Sequence, residues 1–357
     1  MSQREFHSLT VLDTREEVGG MAKTVMFGVP DAVQDAFKWR AGQHLSFRFH
    51  INGVEQRRSY SISSSPFTGD PLRITVKRVK DGVVSNYIND TLKTGNVIEV
   101  MSPFGGFCLD PGATARRTHY FFGAGSGITP LYAMLSSVMT AEPNSFAHLV
   151  YGNNNENSIL LEDELNALWE AHPNRMSIHH VFSKPRWWSS AEYWRKGIVD
   201  KEAIGALITE NPPYAQDSQY YVCGPGGMNK AVKDALMSFD VPAGRIHMES
   251  YGGTAELDTS IEGMAAKAEV TLGGKTHSID ISKGQTVLEA VKAAGLKPPF
   301  SCQSGVCGAC QASLASGEVQ MRARMALEDG DIAKGAILTC QSLPATGEIS
   351  LSYDEAV

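Results

Sequence analysis

Three of the chain's six cysteines fall in one stretch of ten residues, Ser301-Cys-Gln-Ser-Gly-Val-Cys-Gly-Ala-Cys310. No other feature restricts the fold as tightly. The spacing is Cys302-x4-Cys307-x2-Cys310, and Cys340 follows some thirty residues on. Thiolates in the order C-x4-C-x2-C…C hold a [2Fe–2S] cluster, whose two irons take four sulfur ligands from the protein. Gly305 and Gly308 let the backbone turn its N–H groups toward the sulfurs, which stabilises the charge of a reduced cluster. Four cysteines also bind zinc, but zinc sites normally pair two C-x2–4-C units, and here Cys340 stands alone. Cys108 and Cys223 are not expected to be ligands. A cluster of this kind carries one electron, so its electrons must come from elsewhere.

At 357 residues the chain has room for two or three domains. Its net charge of −7 argues against a nucleic-acid partner, which favours a basic patch. No run of about 18 apolar residues exists, so no membrane insertion is expected. The opening MSQREFHSLTVLD lacks the apolar centre of a signal peptide. Cysteines outside disulfides suit a reducing compartment, and the protein is read as cytoplasmic.

The first third reads as short strands, among them His44–His50, Tyr60–Ser63 and Leu72–Val79, separated by turns such as Asn52-Gly53 and Asp81-Gly82. This pattern predicts an antiparallel β-barrel over residues 1–110. The middle third alternates strand and helix: Thr118–Phe122, Ile128–Met139, Ala147–Tyr151, Leu160–Trp169, Ile178–Phe182, Tyr220–Cys223 and Met228–Phe239. That alternation predicts a doubly wound α/β domain over 111–251. Trp187, Trp188 and Trp194 interrupt it as a surface insertion, with the rings expected to pack inward. Residues 252–268 are small and polar enough for a linker. Strands, a helix at Val287–Ala294 and the cysteine cluster make 269–357 a third domain, α+β in character.

Two glycine turns follow strands of the middle domain. Gly123-Ala-Gly125-Ser-Gly127-Ile-Thr129-Pro130 lies between strand and helix, where glycine admits close approach of a phosphate to a helix N-terminus. Its G-x-G-x-G spacing departs from the usual dinucleotide fingerprint, and a plain tight turn stays open. Cys223-Gly224-Pro225-Gly-Gly-Met228 ends another strand of the same sheet, where open α/β sheets bind ligands. In the β region, Arg58, Tyr60 and Ser61 follow one another on an alternating strand, so Arg58 and Tyr60 face one way and Ser61 the other. Arginine pairs with a pyrophosphate, tyrosine stacks on a flat ring and serine hydrogen-bonds a ring nitrogen. The same tetrapeptide is also ordinary strand sequence.

Together these residues resemble the ferredoxin–NADP reductase superfamily fused to a C-terminal plant-type ferredoxin. The resemblance covers nearly the whole chain. It is nearest to reductase components of multicomponent bacterial oxygenases, of the phenylacetyl-CoA epoxidase and 3-ketosteroid 9α-hydroxylase type. It implies a flavin barrel, a nicotinamide domain and a β-grasp ferredoxin domain, with FAD, NADPH or NADH, and a [2Fe–2S] cluster as cofactors. Arg58 is then expected at the flavin phosphate, Tyr60 against the isoalloxazine and Ser61 near N5. Lys77, Gly82, Val84 and Ser85 form the second flavin stretch, holding the pyrophosphate of FAD. Gly123, Gly125, Gly127, Thr129 and Pro130 form the nicotinamide-nucleotide loop. Cys223, with Gly224, Pro225 and Met228, is placed near the nicotinamide C4. Glu249-Ser-Tyr251 resembles the segment whose aromatic residue covers the flavin, so Tyr251 joins Ser61 and Cys223 as an expected catalytic residue. Ser183, Lys184 and Arg186 follow the third strand where NADPH-using relatives place a serine and a basic residue. Lysine where the pattern has arginine leaves NADH open.

The resemblance implies electron flow from NAD(P)H through flavin and cluster to the iron-containing terminal component of an oxygenase. From Glu269 to Val357 the chain has 10 acidic against 7 basic residues, which suits an acidic face docking on a basic partner. Two rivals are a redox-sensing iron–sulfur protein and a stand-alone NAD(P)H diaphorase. The glycine and arginine–tyrosine–serine motifs argue against the first, and the attached one-electron module against the second.

Overall fold

The computed structural model describes residues 5–187, 194–215, 217–250, 257–327 and 329–354. The first sheet comprises β1 (Phe6–Glu17), β2 (Ala22–Gly28), β3 (His44–Ile51), β4 (Val54–Ser61), β5 (Leu72–Lys77) and, after helix α1 (Val83–Thr91), β6 (Val97–Met101). Their order is β4-β3-β6-β1-β2-β5 and every pairing is antiparallel. The edge strands approach through an Ile62–Ile74 bridge and a 2.8 Å bond from Ser63 N–H to the Arg73 carbonyl, closing the sheet into a barrel. Leu9, Val25, Phe27, Phe47 and Ile74 fill it. The β3–β4 turn is Asn52-Gly53, both at positive φ (52° and 78°), as a two-residue hairpin loop of this kind requires. Helix α1 has no counterpart in the sequence expectation. Its valines, asparagines and threonine are weak helix formers, and burial of Val84 and Ile88 in the barrel core outweighs that preference.

The second unit comprises β7 (Thr118–Ala124), α2 (Ile128–Ala141), β8 (Phe146–Asn153), α3 (Glu162–Ala171), β9 (Met176–Phe182), β10 (Arg195–Lys196), α4 (Lys201–Glu210), β11 (Ser218–Gly224), α5 (Gly226–Ser238) and β12 (Ile246–Ser250). The sheet is parallel throughout, in the order β10-β9-β8-β7-β11-β12. Helices α2 and α3 pack on one face, α4 and α5 on the other. Strand β7 is therefore covered on both sides, and Tyr120, Phe121 and Phe122 are all fully buried. Sequence direction reverses across the sheet between β7 and β11, the switch point where such folds bind ligands. The barrel is tied to this unit by Arg15, which bonds both Glu17 and Glu164 of α3.

The third unit comprises β13 (Ala266–Leu272), β14 (Lys275–Ile281), α6 (Val287–Ala293), β15 (Gln311–Ser316), β16 (Val319–Met321), α7 (Asp329–Ala333), β17 (Ala336–Leu338), β18 (Ser342–Pro344) and β19 (Glu348–Ser352). A mixed sheet, β14-β13-β19-β15-β17, has the parallel pair β13–β19 at its middle and α6 across it, a β-grasp arrangement. Much of the expected linker belongs to this unit. Asp258 N–H bonds the Arg322 carbonyl and Met264 N–H the Pro344 carbonyl, and β13 begins at Ala266. Polar composition conceals backbone bonding of this sort. Among the tryptophans, one departs from the expected inward packing. Trp187 is 89% exposed, Trp194 packs partly into the sheet core, and Trp188 lies outside the described residues.

Beneath the parallel sheet, Glu142 and His119 are both fully buried and share a 2.8 Å bond. Burial alone raises the Glu142 pKa, but the His119 hydrogen bond and charge, with Ser145 and the Gly112 N–H, outweigh it and hold the carboxyl at about 2. A depressed carboxylate stabilises the fold above its unfolded pKa, and that contribution is lost as pH falls toward the folded value. Glu142→Gln is expected to lower unfolding stability by about 3 kcal/mol at neutral pH. Denaturant unfolding should show the gap to wild type closing between about pH 4.5 and 2. A gap that stays constant through that window would rule out this carboxylate as its source.

Candidate functional site

A cavity of about 520 Å³ opens over the switch point of the parallel sheet. Gly125, Ser126 and Gly127 line it from the turn after β7, and Gly224, Pro225, Gly227 and Met228 from the turn after β11. Lys77, from the end of barrel strand β5, lines the same space. Gly127 is glycine for steric reasons, since a Cβ there would lie 1.9 Å from the Cys223 carbonyl oxygen. The two glycine turns are thus packed backbone to backbone. Cys223 itself is fully buried at the end of β11. The Thr129 hydroxyl donates to the Ser126 carbonyl at 2.9 Å and Pro130 sits in the first turn of α2, so both brace the turn. Gly123 stands against Leu131.

The N-termini of α1, α2 and α5 begin at Gly82, Gly127 and Pro225, and none accepts a side-chain cap. Away from these turns, Asp200 caps α4 and Thr286 caps α6, while α3 begins at Leu161 with no side-chain cap. Uncapped N–H groups with the positive end of the helix dipole behind them suit phosphate oxygens. Near the first of them, the Ser85 hydroxyl accepts from Val79 N–H at 3.2 Å and fixes the loop before α1. These three termini fit the phosphates of two dinucleotides.

In the barrel, β4 alternates as expected. Arg58 is exposed and Tyr60 packs on Phe47 with ring centres 5.9 Å apart. Ser61 is buried on the opposite side, its Oγ 3.5 Å from Glu249 Oε2 on β12. The other Glu249 oxygen lies 3.7 Å from His44 Nδ1. His44 Nε2 donates to the Cys307 carbonyl at 2.9 Å. One short relay of side chains therefore joins barrel, parallel sheet and cysteine loop.

The four cysteines stand in two pairs, Cys302 beside Cys307 and Cys310 beside Cys340. Two pairs suit two irons, one pair to each. Backbone N–H groups are already aimed at sulfur, from Ser304 to Cys302 at 3.4 Å and from Ala309 to Cys307 at 3.5 Å. The Cys307 thiol, assisted by the Ser304 and Val306 N–H groups against burial, brings Cys302 down to about 5. Gly305 holds φ +78°, and a Cβ there would lie 2.9 Å from the Ala323 carbonyl, so the loop closes only with glycine.

Some expected residues are not gathered into the cavity. Ser183 lines it, but Lys184 and Arg186 are exposed on the turn beyond. Tyr251 lies outside the described residues. Other lining residues escaped the sequence reading: Gly152, Asn153, Asn154 and Ile198. The run of three asparagines directly after a parallel strand was the available signal. His44 had none, because a lone histidine on a strand reads as core.

Residues 9–108 match the oxidoreductase FAD-binding domain, 121–234 the oxidoreductase NAD-binding domain and 270–345 the 2Fe-2S iron-sulfur cluster binding domain. Fold and site together define an NAD(P)H oxidoreductase that uses FAD and a [2Fe–2S] cluster. The chain is 33% identical to the ferredoxin reductase component of the 3-ketosteroid-9-alpha-monooxygenase of Rhodococcus rhodochrous, over 97% of this chain and 96% of the relative. It is 30% identical to one of the subunits of the 1,2-phenylacetyl-CoA epoxidase of Escherichia coli K12, over 98% of both. The solved structure of phthalate dioxygenase reductase matches with a TM-score of 0.57 at 25% identity, over 97% of this chain and 98% of that one. The chain belongs to this family of flavin- and iron–sulfur-containing oxygenase reductase components. No helix among the described residues is long and apolar enough to cross a membrane.

Gly127→Ala is expected to weaken NAD(P)H binding at least about tenfold, because backbone blocks the new methyl and the turn must shift. Flavin and cluster absorbance should persist. Equilibrium nucleotide titration measures the effect, and unchanged affinity would show that the packed turns do not form the nucleotide site.

Proposed function

We propose that the chain is the electron-supplying component of a multicomponent oxygenase, delivering electrons from NAD(P)H to an iron-containing terminal partner. The observation that carries this reading is the shared cavity, in which barrel residue Lys77 and both glycine turns of the parallel sheet line one space. Relatives similar along most of the chain are components of a ketosteroid monooxygenase, an epoxidase and a glycine betaine monooxygenase, which supports an oxygenase as recipient.

Bound flavin accepts two electrons together and gives them up singly, the conversion that a one-electron cluster needs. The chain's own residues bind and orient. Arg58 and the N-terminus of α1, with Lys77, Gly82, Val84 and Ser85, hold the flavin phosphates; Tyr60 lies on the ring and Ser61 beside its reactive edge. Glu249, 3.5 Å from Ser61, holds or moves the proton there. Gly123, Gly125, Gly127 and Thr129, with Gly224, Pro225 and Met228, hold the nicotinamide nucleotide, and Cys223 fixes the strand end behind it. Cys302, Cys307, Cys310 and Cys340 ligate the two irons. Ser183 in the cavity wall, with Lys184 and Arg186 on the same turn, favours NADPH through contacts to its 2′-phosphate. The protein is assigned to the cytoplasm, where its thiols stay reduced.

Visible and low-temperature EPR spectra of the purified protein, before and after NADPH or NADH, test the assignment and name the preferred nucleotide. In Cys307→Ser, cytochrome c reduction should collapse while ferricyanide reduction from the flavin persists. Equal loss of both, with flavin retained, would contradict the order of carriers. The acidic C-terminal unit also predicts that reduction of a basic oxygenase partner slows as salt rises. A rate indifferent to ionic strength would exclude that docking mode.

A further inference from the structure

Strand β4 carries Arg58 and Tyr60 of the flavin motif on one face and grips the cysteine loop with the other, the face that Ser61 shares. Arg57 and Ser59 alternate with Arg58 and Tyr60 and point the opposite way. Arg57 Nη1 donates to the Phe300 carbonyl at 3.2 Å. Its guanidinium carbon stands 3.8 Å from the Phe300 ring centre and 5.0 Å from that of Phe6 on β1. One charged group is therefore held between a ring of the barrel and a ring of the C-terminal unit, with its side chain only 13% exposed and Glu55 at 2.8 Å. Ser59 Oγ donates to Ser301 Oγ at 3.1 Å. On β3, His44 faces Ser61 across the ladder and donates to the Cys307 carbonyl. Gly105, at φ +120°, makes room for that ring, since a Cβ there would lie 2.8 Å from His44 Nδ1. Met101, Phe104, Cys307 and Ala309 close the seam as one buried apolar cluster.

Every one of these contacts from the C-terminal unit comes from residues 300–309, the cysteine loop and the two residues before it. A seam made only to join two folded units has no reason to select that loop. We propose that Arg57 is a positioning residue for internal electron transfer, a latch that holds the cysteine loop against the back of the flavin strand. The proposal rests on the reading that Arg58, Tyr60 and Ser61 hold the flavin. Each crossing moves one electron, the flavin losing what the cluster gains, and no bond between heavy atoms forms or breaks. Arginine suits the task because a planar guanidinium can stack on both rings and bond a carbonyl at its edge at once.

The test uses the full-length holoprotein with Arg57→Ala and Arg57→Lys. In stopped-flow mixing with excess NADPH or NADH, flavin bleaching should keep its wild-type rate in Arg57→Ala. Cluster reduction should slow about tenfold, matching a loss of about 1.4 kcal/mol from the docked state. Small-angle X-ray scattering should show a larger maximum dimension for Arg57→Ala than for wild type. Arg57→Lys keeps charge over the ring but not the edge-on bond, and should fall between; it carries the test alone if Arg57→Ala does not accumulate. Cluster reduction at the wild-type rate in either variant overturns the latch, whatever the scattering shows. Wild-type protein without flavin overturns the underlying reading and the proposal with it, so the two failures are distinguishable.

Discussion

Eight residue pairs, from His44–Ser61 to Ile51–Val54, hold β3 against β4, and a two-residue turn that only residues tolerant of positive φ can make fixes their register. Side chains on a strand alternate strictly, so a slip of one residue would exchange the two faces of β4. Arg58 and Tyr60 would then face the cysteine loop, and Arg57 and Ser59 the flavin side. The barrel closure at Ile62–Ile74, the Ser61–Glu249 approach and the grip on Phe300 all assume the register this hairpin sets. Phe47, in the same ladder, packs against Phe27, Phe49 and Tyr60, so the barrel core enforces the register that the turn begins.

The helices show a second economy. Where a helix begins as α4 and α6 do, away from the cavity, an aspartate or threonine satisfies its first N–H groups, though α3 begins without such a cap. Where it begins at a glycine-marked turn, no side chain does so. Leaving those donors uncapped costs about 1 kcal/mol per helix in the free protein. The cost falls on elements that also bury large apolar faces; α2 alone buries Ile128, Leu131, Met134, Leu135 and Val138 against the sheet.

The sequence made the order of units and the iron–sulfur domain legible because they depend on spacing and composition over short distances. Four cysteines at fixed intervals, apolar runs before glycine turns and an Asn-Gly hairpin each carry their own physical warrant. The seam was illegible because it depends on residues more than 240 positions apart, such as Arg57 and Phe300. No local pattern marks them: Arg57 reads as one more strand arginine and His44 as a core histidine. The supposed linker misled for a related reason, since small polar residues look unstructured until their backbone partners, here Arg322 and Pro344, are seen. Trp187 misled in the opposite direction: size argued for burial, and the residue is 89% exposed.

The seam consists of a stacked guanidinium, three side-chain hydrogen bonds and a small apolar cluster. Two separate proteins joined by so little would meet rarely. Here one chain carries both sides, and covalent connection raises the effective concentration of the loop at its seat. Tethering makes a weak contact sufficient, and a weak contact is also one that opens quickly. The same loop can therefore load at the barrel and still be released to a recipient within one catalytic cycle, which a tight, extensive interface would prevent.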